Sequence, residues 1–319
     1  MSMQQNTFKI YQAPLQGSTD FDFRRVLAES FGGIDKYFIP YLSFGKGREI
    51  KKSQLREVFP ENNGVLPVVP QVLFSDLAEL FDLINILIDY GYQEINLNLG
   101  CPYPMATNKG RGAAWLEKPE ALNEILQQLY AKGFPARFSV KMRAGMKNDQ
   151  DAKAIFAVLN QFPLEELIFH PRTASQMYDG KANPKLFAEA ISQAKHPMVF
   201  NGDISTAADF QELPSLLPEQ KSWMIGRGLL TNPALAAQLK GEVFESKALR
   251  KQMRDFHDQL LEAYSARLQG DGHIVMKMSQ FWAYFSESFE NPHKAMKLVK
   301  KSSSLLKYNA AVTEIFRSL

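Results

Sequence analysis

Cys101 is the only cysteine in the 319-residue chain, and it directly follows a predicted strand. Residues 93–99 alternate polar and apolar side chains, as a strand does, and Gly100 and Pro102 on either side of the cysteine end the strand. A thiol at the carboxyl end of a parallel strand lies where α/β enzymes place their chemistry. A free cysteine is also commonly a small buried apolar residue, so the spacing alone leaves both interpretations open.

Polar side chains stand at the ends of other predicted strands as well. They are Gln71, Asn98, Lys141, Arg143, His170, Arg172, Asn201 and Arg227. Each of them taken alone could be structural, and a histidine after a strand is commonly a satisfied core or loop residue. In a barrel, however, all strand carboxyl ends converge on one face, so these groups would share one cavity.

Eight short apolar runs alternate with helical stretches and predict the elements that carry these groups. The runs are residues 9–13, 36–42, 66–73, 94–99, 137–142, 164–169, 198–200 and 222–225. Residues 76–87 and 119–130 have the apolar spacing of helices. Eight units of this kind indicate an α/β protein with a (β/α)8 TIM barrel, since a doubly wound sheet usually offers five or six strands.

The ends of the last two predicted strands suggest a phosphate site. Residues 201–206 lead into a helix with Ser205 or Thr206 as N-cap, and the glycines of residues 224–228 let backbone N–H groups approach an anion. Loops after strands seven and eight form the usual phosphate site of this fold. A flavin ring would also account for Gln71 and Lys141, because an amide suits its pyrimidine edge and an ammonium suits its anionic N1–C2=O edge. The residues therefore predict FMN.

Composition and charge indicate the setting. The length and the 45% hydrophobic content suffice for one large domain and a smaller one. A single cysteine excludes an internal disulfide and fits a reducing cytosol. Residues 1–6 show no secretory signal, and no apolar run approaches the roughly 20 residues of a membrane span. Residues 240–319 hold 13 Lys and Arg against 9 Asp and Glu, so all of the net charge of +3 lies there. We expect a cytoplasmic protein without a metal site.

The motifs, taken in order, resemble those of the tRNA-dihydrouridine synthases. The matching stretches are APLQGSTD at 13–20, QV at 71–72, NLGCP at 98–102, GRGAA at 110–114, VKMR at 140–143, HPRT at 170–173, NGDI at 201–204 and MIGRG at 224–228. They cover about residues 10 to 235. The tail, with Lys277 and residues 280–284, looks like the helical RNA-binding domain of the bacterial C-type subgroup. The resemblance implies a TIM-barrel domain over residues 1–240 and a small all-helical tRNA-binding domain over 241–319.

The resemblance also implies an FMN enzyme that uses NADPH to reduce the uracil 5,6 double bond of particular tRNA uridines, with Cys101 as the general acid. The implied cofactor residues are Pro14, Leu15, Gln16, Gln71, Lys141, His170, Asn201, Gly202, Asp203, Gly226 and Arg227. The implied base and tRNA residues are Asn98, Arg143, Arg172 and Tyr178, and His170 is also implied along the base pocket. Pro171 in this pattern predicts a stiff loop after strand six.

Two clusters of basic residues suit tRNA phosphates. One lies in the predicted loop at residues 44–58 and includes Lys46 and Arg48, and the other lies in the tail and includes Lys277. Each of these residues alone could be ordinary solvated surface.

Three functions stay open on the sequence. The first is an RNA-modifying FMN reductase, and the second is an FMN barrel acting on a free pyrimidine or small enone, like a dihydroorotate dehydrogenase. The third is a tRNA-binding protein with an idle barrel. The second leaves the basic tail unexplained, and the third leaves Cys101, Lys141 and His170 unexplained. We therefore expect the first, acting as a monomer.

Overall fold

The computed structural model describes residues 8–317, so the prediction on a secretory signal, which depends on residues 1–6, lies outside the described part of the chain. Eight parallel strands close into a barrel in sequence order, with β1 paired to β8. The strands are β1 (Lys9–Gln12), β2 (Lys36–Leu42), β3 (Val68–Val72), β4 (Glu94–Leu99), β5 (Arg137–Gly145), β6 (Leu167–Thr173), β7 (Met198–Asn201) and β8 (Ser222–Ile225). The predicted (β/α)8 fold is confirmed.

Strands β5 and β6 run further than the sequence predicts, so Arg143, His170 and Arg172 lie within strands. Pro171 also lies in β6, and the prediction that it stiffens the following loop is wrong. The pairing of β6 with β7 ends at Phe169, and the pairing with β5 shifts register after Arg143. A residue without an N–H is tolerated where regular ladder pairing stops.

Apolar side chains from six strands fill the barrel interior. This cluster consists of Tyr11, Ala13, Phe38, Val69, Ile168, Val199 and Met224. On β4 and β5, by contrast, the fully buried Asn96 and Ser139 pair in register. A buried polar group is costly unless it is hydrogen-bonded, so these two residues need partners inside the barrel.

Helices alternate with the strands and continue beyond the last one. They are α1 (Phe21–Ser30), α2 (Lys52–Val58), α3 (Pro60–Asn63), α4 (Leu77–Asp89), α5 (Pro104–Thr107), α6 (Pro119–Lys132), α7 (Asp151–Leu159), α8 (Pro184–Gln193), α9 (Ala207–Leu216), α10 (Arg227–Thr231), α11 (Leu235–Leu239), α12 (Ser246–Arg267), α13 (Asp271–Phe285), α14 (Pro292–Lys300) and α15 (Leu305–Arg317). Within residues 8–317, no helix has the length and apolar character needed to cross a membrane.

Two predicted helices are confirmed to within two residues at their ends. The Asp76 carboxylate caps α4 by accepting the N–H of Glu79, 2.9 Å away. Helix α6 has a proline in its first turn and ends at Gly133, whose left-handed backbone suits glycine. Thr206 precedes α9, and its hydroxyl accepts the N–H of Asp209 at 3.1 Å, as the sequence predicts for one of two candidate caps.

The described residues form two compact units. The first comprises residues 8–14, 35–203 and 211–225 and contains the whole barrel, and the second comprises 15–34, 204–210 and 226–317. In the second unit, Phe23 of α1 packs against Phe256 of α12 and Phe281 of α13, and the Tyr264 hydroxyl donates to Asp20 at 3.0 Å. The division into domains at residue 240 stays a prediction.

Candidate active site

Alternate residues of neighbouring strands bring polar side chains to one end of the barrel. Asn98 of β4 pairs in register with Lys141 of β5, and Arg143 of β5 pairs with His170 of β6. Side chains two residues apart in a strand share one face, so Lys141 and Arg143 point to the same side of the sheet. The barrel therefore brings together the predicted polar side chains of β4, β5 and β6. Cys101 follows β4 at the same end of the barrel.

Backbone contacts hold Cys101 in a fixed turn. Its N–H donates to the Asn98 side-chain oxygen at 2.8 Å, and its carbonyl oxygen accepts the N–H of Ala113 at 3.0 Å. Gly112 lies against the cysteine with φ +61, and a Cβ there would be 2.7 Å from the Cys101 carbonyl oxygen. Only glycine allows the two backbone segments to come this close.

Cys101 is 8% exposed and packs against Leu73, Ala106 and Tyr41. Burial raises the pKa of the thiol, against the opposing effects of the Tyr103 N–H, two nearby cations and the Tyr41 hydroxyl. Burial also raises the pKa of Tyr41 to about 12, so its hydroxyl keeps its proton. The thiol is therefore protonated at neutral pH and can give a proton to a bound molecule.

Lys141 of β5 carries an amine that protein atoms largely shield from water. Part of its side chain keeps some accessible surface, but protein atoms crowd the ammonium and this desolvation lowers the pKa of Lys141 to about 7, with the Arg143 charge adding to the shift. Within residues 8–317, no carboxylate forms an ion pair with Lys141. A bound anion beside the ammonium would raise the pKa and stabilise the charge.

Arg172 and Asp203, which the sequence assigns to tRNA and to the cofactor, are paired with each other. Two guanidinium nitrogens of Arg172 donate to the Asp203 carboxylate at 2.8 and 2.7 Å, and one of them lies 3.2 Å from Nε2 of His170. A further bond from this guanidinium reaches the Gly180 carbonyl oxygen. Arg172 is buried, so its main contacts are internal to the first unit.

Arg143 fixes the segment that follows β6. Its guanidinium donates to the carbonyl oxygens of Thr173 and Met177 at 2.8 and 2.7 Å, and lies 5.5 Å from the centre of the Tyr178 ring. Burial lowers the pKa of Arg143 to about 10, which leaves it charged at neutral pH. Tyr178 itself is exposed. This arrangement presents an aromatic ring beside a cation at the surface.

The turn after β7 is tightly constrained. The Asn201 side chain donates to the Met224 carbonyl oxygen at 2.9 Å, which ties β7 to β8. A Cβ on Gly202 would lie 2.5 Å from the Ala182 side chain, and Asp203 adopts φ +45. The close approach at Gly202 excludes any larger residue from this turn.

The other predicted residues are divided between the two units. Lys46 is exposed, Arg48 bonds the half-exposed Asp82, and the predicted loop around them contains helix α2. The second unit holds Leu15, Gln16, Gly226, Arg227 and Lys277. The ammonium of Lys277 lies 2.8 Å from Asp20, so this residue has an ion-pair partner within its own unit.

Several residues of the site are not evident from the sequence. Tyr41 reaches Cys101 from β2, Asn96 accepts a hydrogen bond from Gln71, and Ser139 accepts one from Asn96. The alternation of Glu94, Asn96 and Asn98 along β4 was a signal for the second group, because these residues share one face. No local pattern marks Tyr41, since its contact spans 60 positions along the chain.

A family model described as Dihydrouridine synthase (Dus) matches residues 11–316. The tRNA-dihydrouridine synthase B of Pasteurella multocida (strain Pm70) is 30% identical over 229 residues, which cover 71% of this chain and 67% of that protein. A probable tRNA-dihydrouridine synthase of Rhodobacter capsulatus is 30% identical over 260 residues, or 80% and 78% of the two chains. The tRNA-dihydrouridine(16) synthase of Ralstonia nicotianae is 29% identical over 242 residues, or 74% and 73%.

Among solved structures, the old yellow enzyme homologue from Zymomonas mobilis has a TM-score of 0.50 and 12% identity, and the match covers 76% of this chain and 92% of that one. At this identity the likeness shows a shared barrel fold and nothing more.

Proposed function

Since the chain belongs to the dihydrouridine synthase family, we propose that it reduces the uracil 5,6 double bond of specific tRNA uridines to 5,6-dihydrouridine. FMN is the proposed cofactor, and NADPH is the proposed reductant. The observation that carries the proposal is a buried thiol at the carboxyl end of β4, near a lysine for which no carboxylate within residues 8–317 forms an ion pair. A proton donor and an anion-stabilising cation are the two groups that this reduction requires.

The residues of the first unit fit FMN. The Lys141 ammonium suits the N1–C2=O edge of a flavin, where reduction concentrates negative charge, and Gln71 suits the pyrimidine edge. Asn201, Gly202 and Asp203 would hold the ribityl phosphate, at a turn where the glycine lets a backbone approach closely. Bound FMN would supply the hydride that adds to C6 of uracil.

The cofactor roles of Pro14, Leu15, Gln16, Gly226 and Arg227 are proposed from the family motifs alone. The role of His170 beside the flavin or the base is proposed on the same ground.

Cys101 is the proposed general acid. Hydride addition at C6 leaves an enolate, and the proton that completes the product must reach C5. A thiol whose pKa is raised by burial holds that proton at neutral pH, and the Tyr41 hydroxyl and Tyr103 N–H would stabilise the thiolate that forms. General acid catalysis of this kind typically contributes about 10² to 10⁴ in rate.

Base and tRNA binding are proposed for a further set of residues. Asn98 and Tyr178 would contact the flipped uracil, with Arg143 holding the Tyr178 segment and Arg172 bracing His170. Lys46, Arg48 and Lys277 would contact phosphates. Action as a cytoplasmic monomer is part of the same proposal.

The test uses the purified full-length protein, an unmodified tRNA transcript and NADPH, with nucleosides quantified by mass spectrometry. The wild type should bind a flavin, visible in its absorbance, and should convert uridine to dihydrouridine in tRNA. Cys101→Ala should keep the flavin and lose activity by about 100-fold or more. Wild-type turnover by Cys101→Ala would contradict the acid role. Reduction of free uracil in place of tRNA would favour the small-molecule alternative.

A further inference from the structure

Five side chains form a continuous hydrogen-bonded row through the barrel, here called the amide chain. The Asn98 amide donates to the Gln71 oxygen at 2.7 Å, and the Gln71 amide donates to the Asn96 oxygen at 2.7 Å. The Asn96 amide donates to the Ser139 hydroxyl at 2.9 Å, and that hydroxyl donates to the Glu94 carboxylate at 3.3 Å. The row begins beside Cys101 and ends at the first residue of β4.

The register of the barrel explains why these residues meet. Glu94, Asn96 and Asn98 occupy alternate positions of β4 and therefore share one face. Gln71 of β3 and Ser139 of β5 are each paired in register with Asn96, so one comes from either side. Gln71, Asn96 and Ser139 are almost fully buried, which keeps water from replacing their bonds.

The direction of donation along the amide chain is fixed at both ends. An ionised carboxylate can only accept, so Ser139 must give its proton to Glu94, and every amide above it must then donate in the same direction. At the other end, the N–H groups of Gly100 and Cys101 can only donate, and both reach the Asn98 oxygen, at 3.0 and 2.8 Å. The two ends require the same orientation of all three amides.

Lys36 forms an ion pair at the Glu94 end of the amide chain. Its ammonium lies 3.1 Å from both carboxylate oxygens of Glu94 and 3.0 Å from Glu166. Burial opposes the charge on Lys36, but the two carboxylates prevail and raise the pKa of its side chain. Tyr11 donates to Glu166 at 3.0 Å. Glu94 thus sits against a permanent cation, as an acceptor for Ser139.

We propose that Glu94 and Ser139 are positioning residues, which set the orientation of the Gln71 and Asn98 amides and thereby the turn that carries Cys101. The inference rests on the proposed function, because Gln71 and Asn98 are the residues proposed to face flavin and base. The Gln71 amide spends one N–H and one oxygen lone pair inside the amide chain, which leaves it one donor and one acceptor at fixed places. The Asn98 amide spends one N–H on Gln71 and its oxygen on the N–H groups of Gly100 and Cys101, which leaves it one donor at a fixed place. A flipped amide would exchange donor and acceptor toward the ligand.

Two variants interrupt the amide chain far from the reacting atoms. Glu94→Gln keeps the shape but allows donation in either direction, and Ser139→Ala removes the link between Asn96 and Glu94. Glu165→Gln is the matched control, because Glu165 pairs at the surface with Arg137 at the same end of the barrel and is not part of the amide chain. If Glu94→Gln does not fold, Ser139→Ala carries the test.

Activity on tRNA is the first readout. Both variants should lower kcat by about tenfold or more and leave KM for tRNA within about twofold, since misplacement of a reacting group costs rate rather than affinity. The double variant should be no worse than the poorer single variant, because both break one chain. Losses that multiply in the double variant, or single variants as active as Glu165→Gln, would overturn the proposal.

Alkylation of Cys101 by iodoacetamide is the second readout and needs no tRNA. The chain has one cysteine, so intact mass reports this site alone. Both variants should react several times faster than wild type and Glu165→Gln, because the turn held by Asn98 loosens; equal rates would count against the proposal. If wild type itself forms no dihydrouridine, the proposed function fails, whereas an active wild type with unaffected variants rejects only the positioning role.

Discussion

A Cβ atom on Gly112 would lie 2.7 Å from the carbonyl oxygen of Cys101 and 2.8 Å from its Cβ. Two segments of backbone meet at this point, and neither can move aside as a flexible side-chain end could. The glycine motif at residues 110–114 therefore sets the position of the thiol, although it has no reactive group of its own.

Gly112→Ala should displace Cys101 and reduce dihydrouridine formation by about 100-fold, as expected for a reacting group moved by about 1 Å. Gly110→Ala is the control: it has a similar positive φ of +71, but its Cβ would meet only the Lys118 ammonium at 3.9 Å. Both variants carry a backbone cost of about 1–2 kcal/mol. Equal activity losses in the two variants would show that backbone strain alone is responsible.

Tyr41→Phe should shift the ionisation of Cys101 upward. The Tyr41 hydroxyl lowers the pKa of the thiol by bonding its anion, so its removal leaves the raising effect of burial less opposed. The Tyr41 effect is smaller than those of the Tyr103 N–H and the two cations, so we expect an upward shift of at most about 1 pH unit. The pH profile of iodoacetamide alkylation measures the shift, with Tyr103→Phe as the control because it keeps the backbone N–H. An unmoved profile would rule out this contact.

Lys141→Met should make the bound flavin harder to reduce. In the proposed site the ammonium would stabilise negative charge on the reduced ring, and losing about 1.5–3 kcal/mol of that interaction corresponds to a fall of about 30 to 60 mV for a two-electron couple. Potentials measured against a reference dye test this, with Lys153→Met, an exposed lysine on α7, as the control. A potential equal to that of the control would place Lys141 away from the flavin.

The second unit should lose stability as the pH falls below about 6.5. His257 is fully buried, with one ring nitrogen 2.8 Å from Asp258 and the other 2.6 Å from the Tyr308 hydroxyl. Burial lowers the pKa of His257, so below pH 6.5 the unfolded chain binds a proton that the folded chain does not. Stability is then full above the unfolded pKa and falls by at most about 1.4 kcal/mol per pH unit below it.

Urea unfolding at pH 7.5 and pH 5.5 measures this loss, and His257→Gln should reduce the difference between the two conditions. The pKa of Asp258 is lowered, mainly by its bonds to His257 and Arg254 against the effect of burial, so that carboxylate titrates below this window. The same pH dependence in wild type and variant would assign the effect to other groups.

Binding of tRNA should weaken steeply with salt, and Lys46→Ala should reduce the slope of log K against log salt by about 0.7 to 0.9 if Lys46 neutralises one phosphate. Arg48 can contribute in the same way, because its exposed pair with Asp82 is worth only about 0–1 kcal/mol and can be exchanged for a phosphate. Lys153→Ala serves as the control. A slope equal to that control would remove Lys46 from the tRNA surface.

The sequence by itself determined the barrel and the identity of the thiol. Short runs rich in apolar residues, with regular spacing, predicted all eight strands, because each strand buries apolar side chains in the parallel sheet. The turn at Cys101 was equally local, since Gly100 and Pro102 end β4 whatever the rest of the chain does.

Tertiary structure decided the partners of these residues. The Tyr41 contact with Cys101, the Arg172–Asp203 pair and the Lys277–Asp20 pair each join positions that are distant in the chain. Such pairings depend on strand register and helix packing, which fix side-chain distances to within an ångström and leave no periodic trace in sequence. Burial likewise sets the pKa of Lys141 and Cys101, because desolvation depends on atoms from many strands at once.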